Sequence, residues 1–158
     1  MVGLQIKNSL FIAIVVLLIS SCGNSVLVDD FNNYDSTSWP VSEKYEIEFE
    51  QTDTITNYNF FISLRNTDAY PYRNIYIFLT TEFPNGKSKK DTINCPIANY
   101  RGKWLGKGFG GVYDNRIIYM QNTRFKQSGT YKITLEQAMR NNVLEGIKSV
   151  GIRVEESQ

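Results

Sequence analysis

Apolar and polar residues alternate along much of this chain with the period of two that is typical of half-buried β-strands. The clearest case is KYEIEFEQ, in which Tyr45, Ile47 and Phe49 alternate with three glutamates. The segment SGTYKITLEQ, residues 128–137, alternates in the same way. Both segments are therefore predicted to be strands with one face on a core and the other in solvent.

Two further segments, NYNFFISLRN (57–66) and NIYIFLTTEF (74–83), are more continuously apolar, as central strands tend to be. After the second, Asn85 and Gly86 predict a tight hairpin turn because both residue types tolerate positive φ. SKKDTINCPI is the predicted return strand. Turn signals recur between such segments, so we predict a mainly β fold, a single antiparallel β-sandwich of about seven to nine strands.

The remaining segments complete this prediction. RGKWLGKGFGG, residues 101–111, has five glycines and is predicted to be a loop. It contains the spacing G-x-G-x-x-G, but a predicted strand, RIIYMQNTRF, follows it, whereas a dinucleotide-binding motif requires a helix there. One short helix or turn is predicted near 137–145, with Gly146 as its stop. IKSVGIRVEE, residues 147–156, closes the sheet.

The N-terminal residues predict a lipoprotein signal peptide. The apolar run Leu10–Ile19 follows Lys7 and is much shorter than the roughly 20 residues that span a bilayer. Ile19-Ser20-Ser21-Cys22 matches the bacterial lipobox, in which the cysteine thiol receives a diacylglycerol and the chain is cut before the cysteine. We therefore expect a cleaved signal peptide at 1–21, a lipidated tether at 22–39 and the sandwich domain at 40–158. An alternative for the tether is that its inner part forms a first strand.

The residues after Cys22 bear on the membrane that the lipid enters. Two or more acyl chains hold a protein stably to a membrane. Gly23-Asn24-Ser25 lacks the acidic residue that commonly marks retention in the inner membrane. We therefore expect a protein of the cell envelope, anchored in the outer membrane and facing the periplasm. The acidic pair Asp29-Asp30 leaves export to the cell surface open as an alternative.

Composition excludes several classes of function. Loss of Lys7 with the signal peptide leaves 16 basic and 16 acidic side chains, so the mature chain lacks the basic excess that nucleic-acid binding requires. Histidine is absent, which excludes Ser-His-Asp and Cys-His catalysis and the commonest zinc sites. Cys95 has no partner once Cys22 carries lipid, and it is predicted to be a small buried hydrophobe. We expect no catalytic residue, no metal and no cofactor besides the lipid.

One set of side chains is a candidate interaction surface. Tyr, Trp and Arg are enriched at binding hot spots, and aromatic faces also stack on sugars. The candidate residues are Arg65, Tyr70, Tyr72, Arg73 and Trp104. The alternative is that several of them are core residues. Three function classes follow: a non-catalytic module that docks on envelope proteins, a glycan-binding lipoprotein, and, ranked last, a hydrolase that uses two carboxylates.

A set of short motifs, taken in order, resembles the GldH family of gliding-motility lipoproteins found in Bacteroidetes. The motifs are LRN (64–66), YPYRNIY (70–76), FPNG (83–86), DT (91–92), LGKGF (105–109), SGTY (128–131), EQAMR (136–140), LEGI (144–147) and VGIRV (150–154). The resemblance implies a lipoprotein associated with the envelope apparatus for gliding and its protein secretion, with motility proteins as partners. It carries over no active-site residues.

Overall fold

The computed structural model describes residues 25–158, and its regular structure is entirely β. The eleven strands in this part of the chain are β1 Val26–Asn33, β2 Ser38–Pro40, β3 Tyr45–Gln51, β4 Asn57–Thr67, β5 Asn74–Glu82, β6 Ser88–Pro96, β7 Lys107–Phe109, β8 Val112–Arg124, β9 Gly129–Gln137, β10 Val143–Glu145 and β11 Ile147–Glu156. The prediction of a mainly β fold is confirmed. The expected signal peptide and Cys22 lie outside the described residues. Within 25–158, no helix has the length and apolar character needed to cross a membrane.

The strands form two antiparallel sheets and a small ribbon. The large sheet has the order β1-β11-β4-β8-β7, and the small sheet has the order β3-β9-β5-β6. β2 and β10 pair as a separate two-stranded ribbon. Because β1 contacts β3 at one edge and β6 contacts β8 at the other, the two sheets lie face to face as an antiparallel β-sandwich.

Alternation along the strands builds the core between the sheets. In β4, every second residue from Tyr58 to Asn66 is buried, as a strand with one inward face requires. Leu64 lies opposite Val150 of β11, and Ile62 lies opposite Ile152. Fully burying an aliphatic side chain of this size contributes about 1.5–3 kcal/mol. The inward faces of β4 and β11 therefore supply much of the stability of the large sheet.

Aromatic side chains fill one end of the core. Phe125 lies 4.9 Å from Tyr131 and 5.2 Å from Tyr58, measured between ring centroids, and both pairs meet edge to face. Phe49 and Phe60 also pack on Phe125. Edge-to-face pairs add about 0.5–1.5 kcal/mol beyond the burial of their area. Part of the high aromatic content is therefore core, as strands rich in Tyr and Phe predict.

The strand count exceeds the prediction because β2, β7 and β10 have only three residues each, and the other eight fall within the predicted range. Three residues are too few to show a periodicity. The region 137–145 contains bends and β10, so the turn alternative is correct and the helix alternative is wrong. This segment instead forms one strand of the two-stranded ribbon, in which buried Leu144 lies opposite Trp39. Gly146, with φ of +80°, joins β10 to β11 and ends no helix.

The predicted hairpin between β5 and β6 is confirmed, but its loop differs from the expected tight turn. Glu82 pairs with Ser88, which leaves a five-residue loop. Only Gly86 has a positive φ, of +77°. Asn85 acts through its side chain, because its Oδ1 accepts a hydrogen bond from the backbone N–H of Lys87 at 3.0 Å. Of the two residue types that tolerate positive φ, only the glycine adopts it here.

The register gives the sandwich two distinct ends. Val26 lies opposite Glu155, which lies opposite Asn59, so the chain enters the fold where β4 begins. Thr67, the last residue of β4, lies opposite Val112. We call the first the entry end and the second the distal end. Eight residues of extended strand separate Asn59 from Thr67, a rise of about 26 Å.

Candidate functional site

Three of the five predicted surface residues, Tyr70, Tyr72 and Arg73, lie just before the start of β5. Tyr70 is only 2% exposed, and its hydroxyl donates to the carbonyl oxygen of Asn74 at 2.9 Å. Tyr72 packs edge to face on Tyr70 at 5.7 Å and donates to Oδ1 of Asn141 at 2.9 Å. Tyr70 is therefore a core residue, as the alternative interpretation of the set allowed. Tyr72 is a partly exposed side chain with an internal hydrogen-bond partner.

The two arginines of the set lie at different places on the fold. Arg65 is on the outer face of β4, where it forms an ion pair with Asp114 of β8 and lies 5.4 Å from the ring centroid of Phe31. Arg73 is exposed at the distal end, just before β5. Its carbonyl oxygen accepts hydrogen bonds from the backbone N–H groups of Ile97 and Ala98, each at 2.9 Å. The backbone of Arg73 thus holds the loop that follows β6.

Trp104 fastens that loop to the large sheet. Its indole N–H donates to Oδ1 of Asp68 at 3.0 Å, and its ring lies 5.6 Å from that of Tyr113, tilted by 34°. Asp68 also accepts a hydrogen bond from Tyr113, and this bond raises the pKa of the phenol. The five predicted residues therefore do not form one patch, and Trp104 is a support for the loop more than an open platform.

The loop that Trp104 supports has a defined conformation. Oδ1 of Asn99 accepts hydrogen bonds from the backbone N–H groups of Arg101 and Lys103, at 2.9 and 3.0 Å. The N–H of Asn99 donates to the carbonyl of Lys103 at 2.9 Å, which closes a tight turn. An Asn side chain that bonds to the backbone two residues ahead is a standard way to fix a turn. Tyr100 and Arg101 are held at its outermost point.

The glycine-rich segment then returns as a strand. β7 pairs with the start of β8, so the loop prediction is wrong for residues 107–109, and no helix follows the glycines. Gly110 and Gly111, with φ of +64° and +77°, form the two-residue turn in which both central residues need positive φ. A Cβ on Gly108 would lie 2.2 Å from the carbonyl oxygen of Val112, so this strand needs a glycine there. Phe109 stands beside the turn.

Together the loop and the hairpin present an exposed surface, the distal tip, which consists of Tyr100, Arg101, Lys103, Leu105, Lys107 and Phe109. The exposed fractions of its apolar residues are 96% for Phe109, 76% for Tyr100 and 56% for Leu105. The sequence predicts a loop over residues 101–111, and Trp104 is the one candidate interaction residue that it places there. The alternation of basic and apolar residues in YRGKWLGKGF was the signal that could have identified it.

The outer face of the large sheet carries a groove of about 800 Å³. Arg65 and Arg116 of this face already have partners, whereas Lys107, which also lines the groove, has no carboxylate within ion-pair distance among residues 25–158. Arg65 pairs with Asp114, and Arg116 lies 5.9 Å from the ring centroid of Phe61. The outer face of the small sheet is similar, because Glu136 pairs with Lys44 and with a lysine of β6. These faces balance much of their own charge.

The distal tip differs in this respect. Within residues 25–158, Arg101, Lys103 and Lys107 have no carboxylate within ion-pair distance. The two acidic residues beside them are already engaged, Asp68 by Trp104 and Asp114 by Arg65. Within residues 25–158, the tip therefore combines three exposed apolar side chains with three cations that lack a carboxylate partner, one of which, Arg101, lies 5.3 Å from the ring centroid of Tyr100.

The thiol of Cys95, the most reactive side chain within residues 25–158, lies inside the fold. Cys95 is free and fully buried, and burial raises the pKa of its thiol to about 12, so it is protonated at neutral pH. The prediction that Cys95 is a small buried hydrophobe is confirmed. Among residues 25–158, no cluster of three or more Cys, Asp or Glu side chains could hold a metal ion.

Comparisons with known proteins agree with the motifs found in the sequence. The family model described as GldH lipoprotein matches residues 26–154. The "Gliding motility lipoprotein GldH homolog" of Christiangramia forsetii is 35% identical over 157 residues, which cover 94% of this chain and 96% of that protein. Gliding motility lipoprotein GldH of Flavobacterium johnsoniae is 30% identical over 160 residues, 97% of this chain and 99% of its own.

One solved structure gives a weaker match. Dimeric latent PorU from Porphyromonas gingivalis aligns with a TM-score of 0.38 and 8% identity, covering 87% of this chain and 14% of PorU. A likeness of this size carries no structural argument. The sequence matches, by contrast, extend over nearly the whole length of both curated relatives and confirm the resemblance inferred from the motifs. This chain belongs to the GldH family of gliding-motility lipoproteins.

Proposed function

We propose that this protein is a lipid-anchored cell-envelope lipoprotein that acts without catalysis, as a docking component of the apparatus for gliding motility and its associated protein secretion. Membership of the GldH family supports the connection with motility. The lipobox ending at Cys22 supports the anchor. The observation that carries the docking role is the polarity of the domain, with the lipid-bearing strand entering at one end and an exposed tip at the other.

The length of the connection makes this polarity meaningful. Four residue steps separate Cys22 from Val26, the first residue of β1, and four extended residues span at most about 14 Å. The entry end is therefore held close to the membrane surface. With the strands standing away from that surface, the distal tip lies roughly 26 Å or more beyond the entry end. A domain arranged in this way presents its tip to other envelope proteins.

Anchoring in the outer membrane with the domain in the periplasm is part of the proposal. The absence of an acidic residue directly after Cys22 supports it, since Gly23 and Asn24 occupy those positions. The mature chain has equal numbers of acidic and basic side chains, so electrostatic attraction to anionic lipids would contribute little to membrane attachment. The covalent lipid would supply it instead. Membrane fractionation with and without surface proteolysis distinguishes the periplasmic from the surface-exposed arrangement.

The test is deletion of the gene in its host and complementation with the wild type or with Cys22→Ala. We expect the deletion to reduce colony spreading and secretion, the wild type to restore both, and Cys22→Ala to restore neither at an equal protein level. Ser21→Ala, which keeps a small residue before the lipidated cysteine, is the matched control and should complement. Normal spreading and secretion in the deletion strain would refute the proposed function.

Glycan binding, the second function considered from the sequence, remains a prediction. It predicts an exposed, coplanar aromatic platform with Trp104 as one candidate member, but the rings of Trp104 and Tyr113 are tilted by 34° and the indole N–H is already bonded to Asp68. Isothermal calorimetry against envelope glycans tests it directly. We therefore do not extend the proposal to glycans.

A further inference from the structure

We infer that the distal tip is the docking site for an acidic protein partner, with Phe109 inserted into an apolar pocket of that partner and Arg101, Lys103 and Lys107 facing its carboxylates. This inference rests on the proposed function and names the chemistry of the partner. The juxtaposition that carries it is a nearly fully exposed aromatic ring in the same surface as three cations that have no carboxylate partner within residues 25–158.

Phe109 has the features of a hot-spot anchor. Its side chain is 96% exposed, whereas every other phenylalanine within residues 25–158 is at most 42% exposed. The turn at Gly110-Gly111 and the close approach of Gly108 to Val112 fix the strand that carries it. A ring held on a defined hairpin loses little conformational freedom when a partner buries it, which favours binding. Interfaces concentrate their energy in a few such aromatic and arginine side chains.

The charge around Phe109 sets the character of the partner. Arg101 and Lys103 come from the loop, and Lys107 comes from β7, so cations flank the ring on the side of the chain that precedes it. The mature chain is neutral overall, so this local excess is a property of the tip and not of the composition. Complementary charge speeds association and selects partners. An acidic rim around an apolar pocket is the surface that matches these side chains.

Basic and apolar residues together also suit an anionic membrane surface, so the position of the tip decides between the two. Val26, next to the lipid attachment, lies at the entry end, and Phe109 lies beyond the far end of β4. For the tip to reach the membrane that holds the lipid, the domain would have to lie on its side. An upright domain directs the tip away from that membrane, toward other proteins of the envelope.

The experiment places a photo-crosslinking amino acid at position 109 of the full-length lipoprotein in its host, and at Ile55 as a control. Ile55 is 78% exposed in the β3–β4 loop, at the entry end. We expect a protein adduct from position 109 that mass spectrometry locates in an acidic segment of the partner, and no such adduct from position 55. K103E/K107E should reduce the adduct yield by at least about tenfold, whereas Lys126→Glu, a charge reversal at the entry end, should leave it unchanged.

Complementation provides a second measurement. Phe109→Ala and K103E/K107E should fail to restore spreading at normal protein levels, whereas Ile55→Ala and Lys126→Glu should restore it. If the deletion strain fails to spread but both tip variants complement fully, the tip is not the docking site and the proposed function stands. If the deletion strain spreads normally, the proposed function fails, while a charge-sensitive adduct to an acidic protein segment would still support the tip.

Three further outcomes would overturn the inference. The first is an adduct between two copies of this chain, which would make the tip a self-association surface. The second is an adduct with lipid, accompanied by Phe109-dependent flotation of the Cys22→Ser protein with phosphatidylglycerol vesicles. The third is an adduct whose yield does not respond to K103E/K107E, which would exclude recognition through carboxylates.

Discussion

The substitution Gly151→Ala tests whether the contact between β1, the first strand, and the rest of the large sheet is as close as the structure describes. Gly151 of β11 lies opposite Phe31 of β1. A Cβ at position 151 would lie 2.1 Å from the carbonyl oxygen of Asp30 and 2.5 Å from Cβ of Phe31. Neither atom can move by rotation of a side chain. β1 must therefore shift away from β11 to admit a single methyl group.

Two opposing effects set the size of the change. Replacing a strand glycine by alanine would by itself stabilise the fold by about 0.5–1 kcal/mol, because the unfolded chain loses freedom. Forcing a methyl group into a closely packed contact costs about 1–3 kcal/mol. Displacing β1 also weakens the burial of Val28 and the hydrogen bond from the hydroxyl of Tyr45 to the carbonyl of Asp30. We expect the free energy of unfolding to fall by about 1–3 kcal/mol.

Urea unfolding of the mature Cys22→Ser protein measures this loss, and hydrogen exchange shows where it arises. Faster exchange should be confined to amides of β1 and its partners in β11. Gly86→Ala is the matched control, since Gly86 has φ of +77° with nothing within 4 Å of an added Cβ. It should cost about 1–2 kcal/mol through backbone strain alone and leave exchange in β1 unchanged. A Gly151→Ala protein as stable as the wild type, or more stable, would refute the proposed clash.

Three other predictions concern groups inside or beside the core. Cys95 should react with a thiol reagent at pH 8 only after denaturation of the Cys22→Ser protein, because burial excludes the reagent and raises the thiol pKa to about 12; rapid reaction of the native protein would contradict this. Asn115→Ala should lower the free energy of unfolding by about 1–3 kcal/mol in urea titrations, since it leaves Oδ1 of buried Asn66 without the donor now at 2.9 Å; an unchanged midpoint would count against it. Lys44 and Lys90 hold the pKa of Glu136 below its usual value, so its contribution is present above the unfolded-state pKa of about 4.3 and is lost as the pH falls through the lower folded-state pKa. Glu136→Gln should therefore lower the free energy of unfolding by about 0.5 kcal/mol at pH 7, and this difference should disappear toward pH 3. A difference that grows as the pH falls would contradict the prediction.

Local periodicity predicted the strands that are long enough to display it. Tyr45, Ile47 and Phe49 do point inward from β3, as their alternation with glutamates indicates, and β4 lies at the centre of the large sheet. The sequence predicted that Cys95 is a buried apolar residue because the mature chain has no second free cysteine to form a disulfide and no histidine to activate the thiol. These features follow from the chemistry of single residues or from spacing over a few positions, both of which a sequence displays directly.

The order of the strands could not be predicted in the same way. β11 inserts between β1 and β4, so Arg153 lies opposite Asp29 on one side and Phe61 on the other. Such pairings join residues about a hundred positions apart, and no local pattern encodes them. The candidate surface failed for a related reason. Tyr70 and Tyr100 are chemically identical in the sequence, and only the tertiary fold buries the first and exposes the second.

The large sheet connects the entry end to the hairpin of the distal tip. β1, which follows the lipidated segment, pairs with β11, and the pairing continues through β4 and β8 to β7, which ends at Phe109. A pull on the tip against the anchor is therefore transmitted as shear across a continuous series of antiparallel hydrogen-bonded pairs, with the β4–β8 pairing extending over most of the length of both strands. The small sheet packs on the inner face of this connection, and the backbone of Arg73 beside β5 holds the other part of the tip, the loop that follows β6. Gly151 and Phe109 thus lie at opposite ends of one continuous hydrogen-bonded sheet, and Gly151→Ala should weaken the pairing of β1 with β11 while leaving the exposure of Phe109 unchanged.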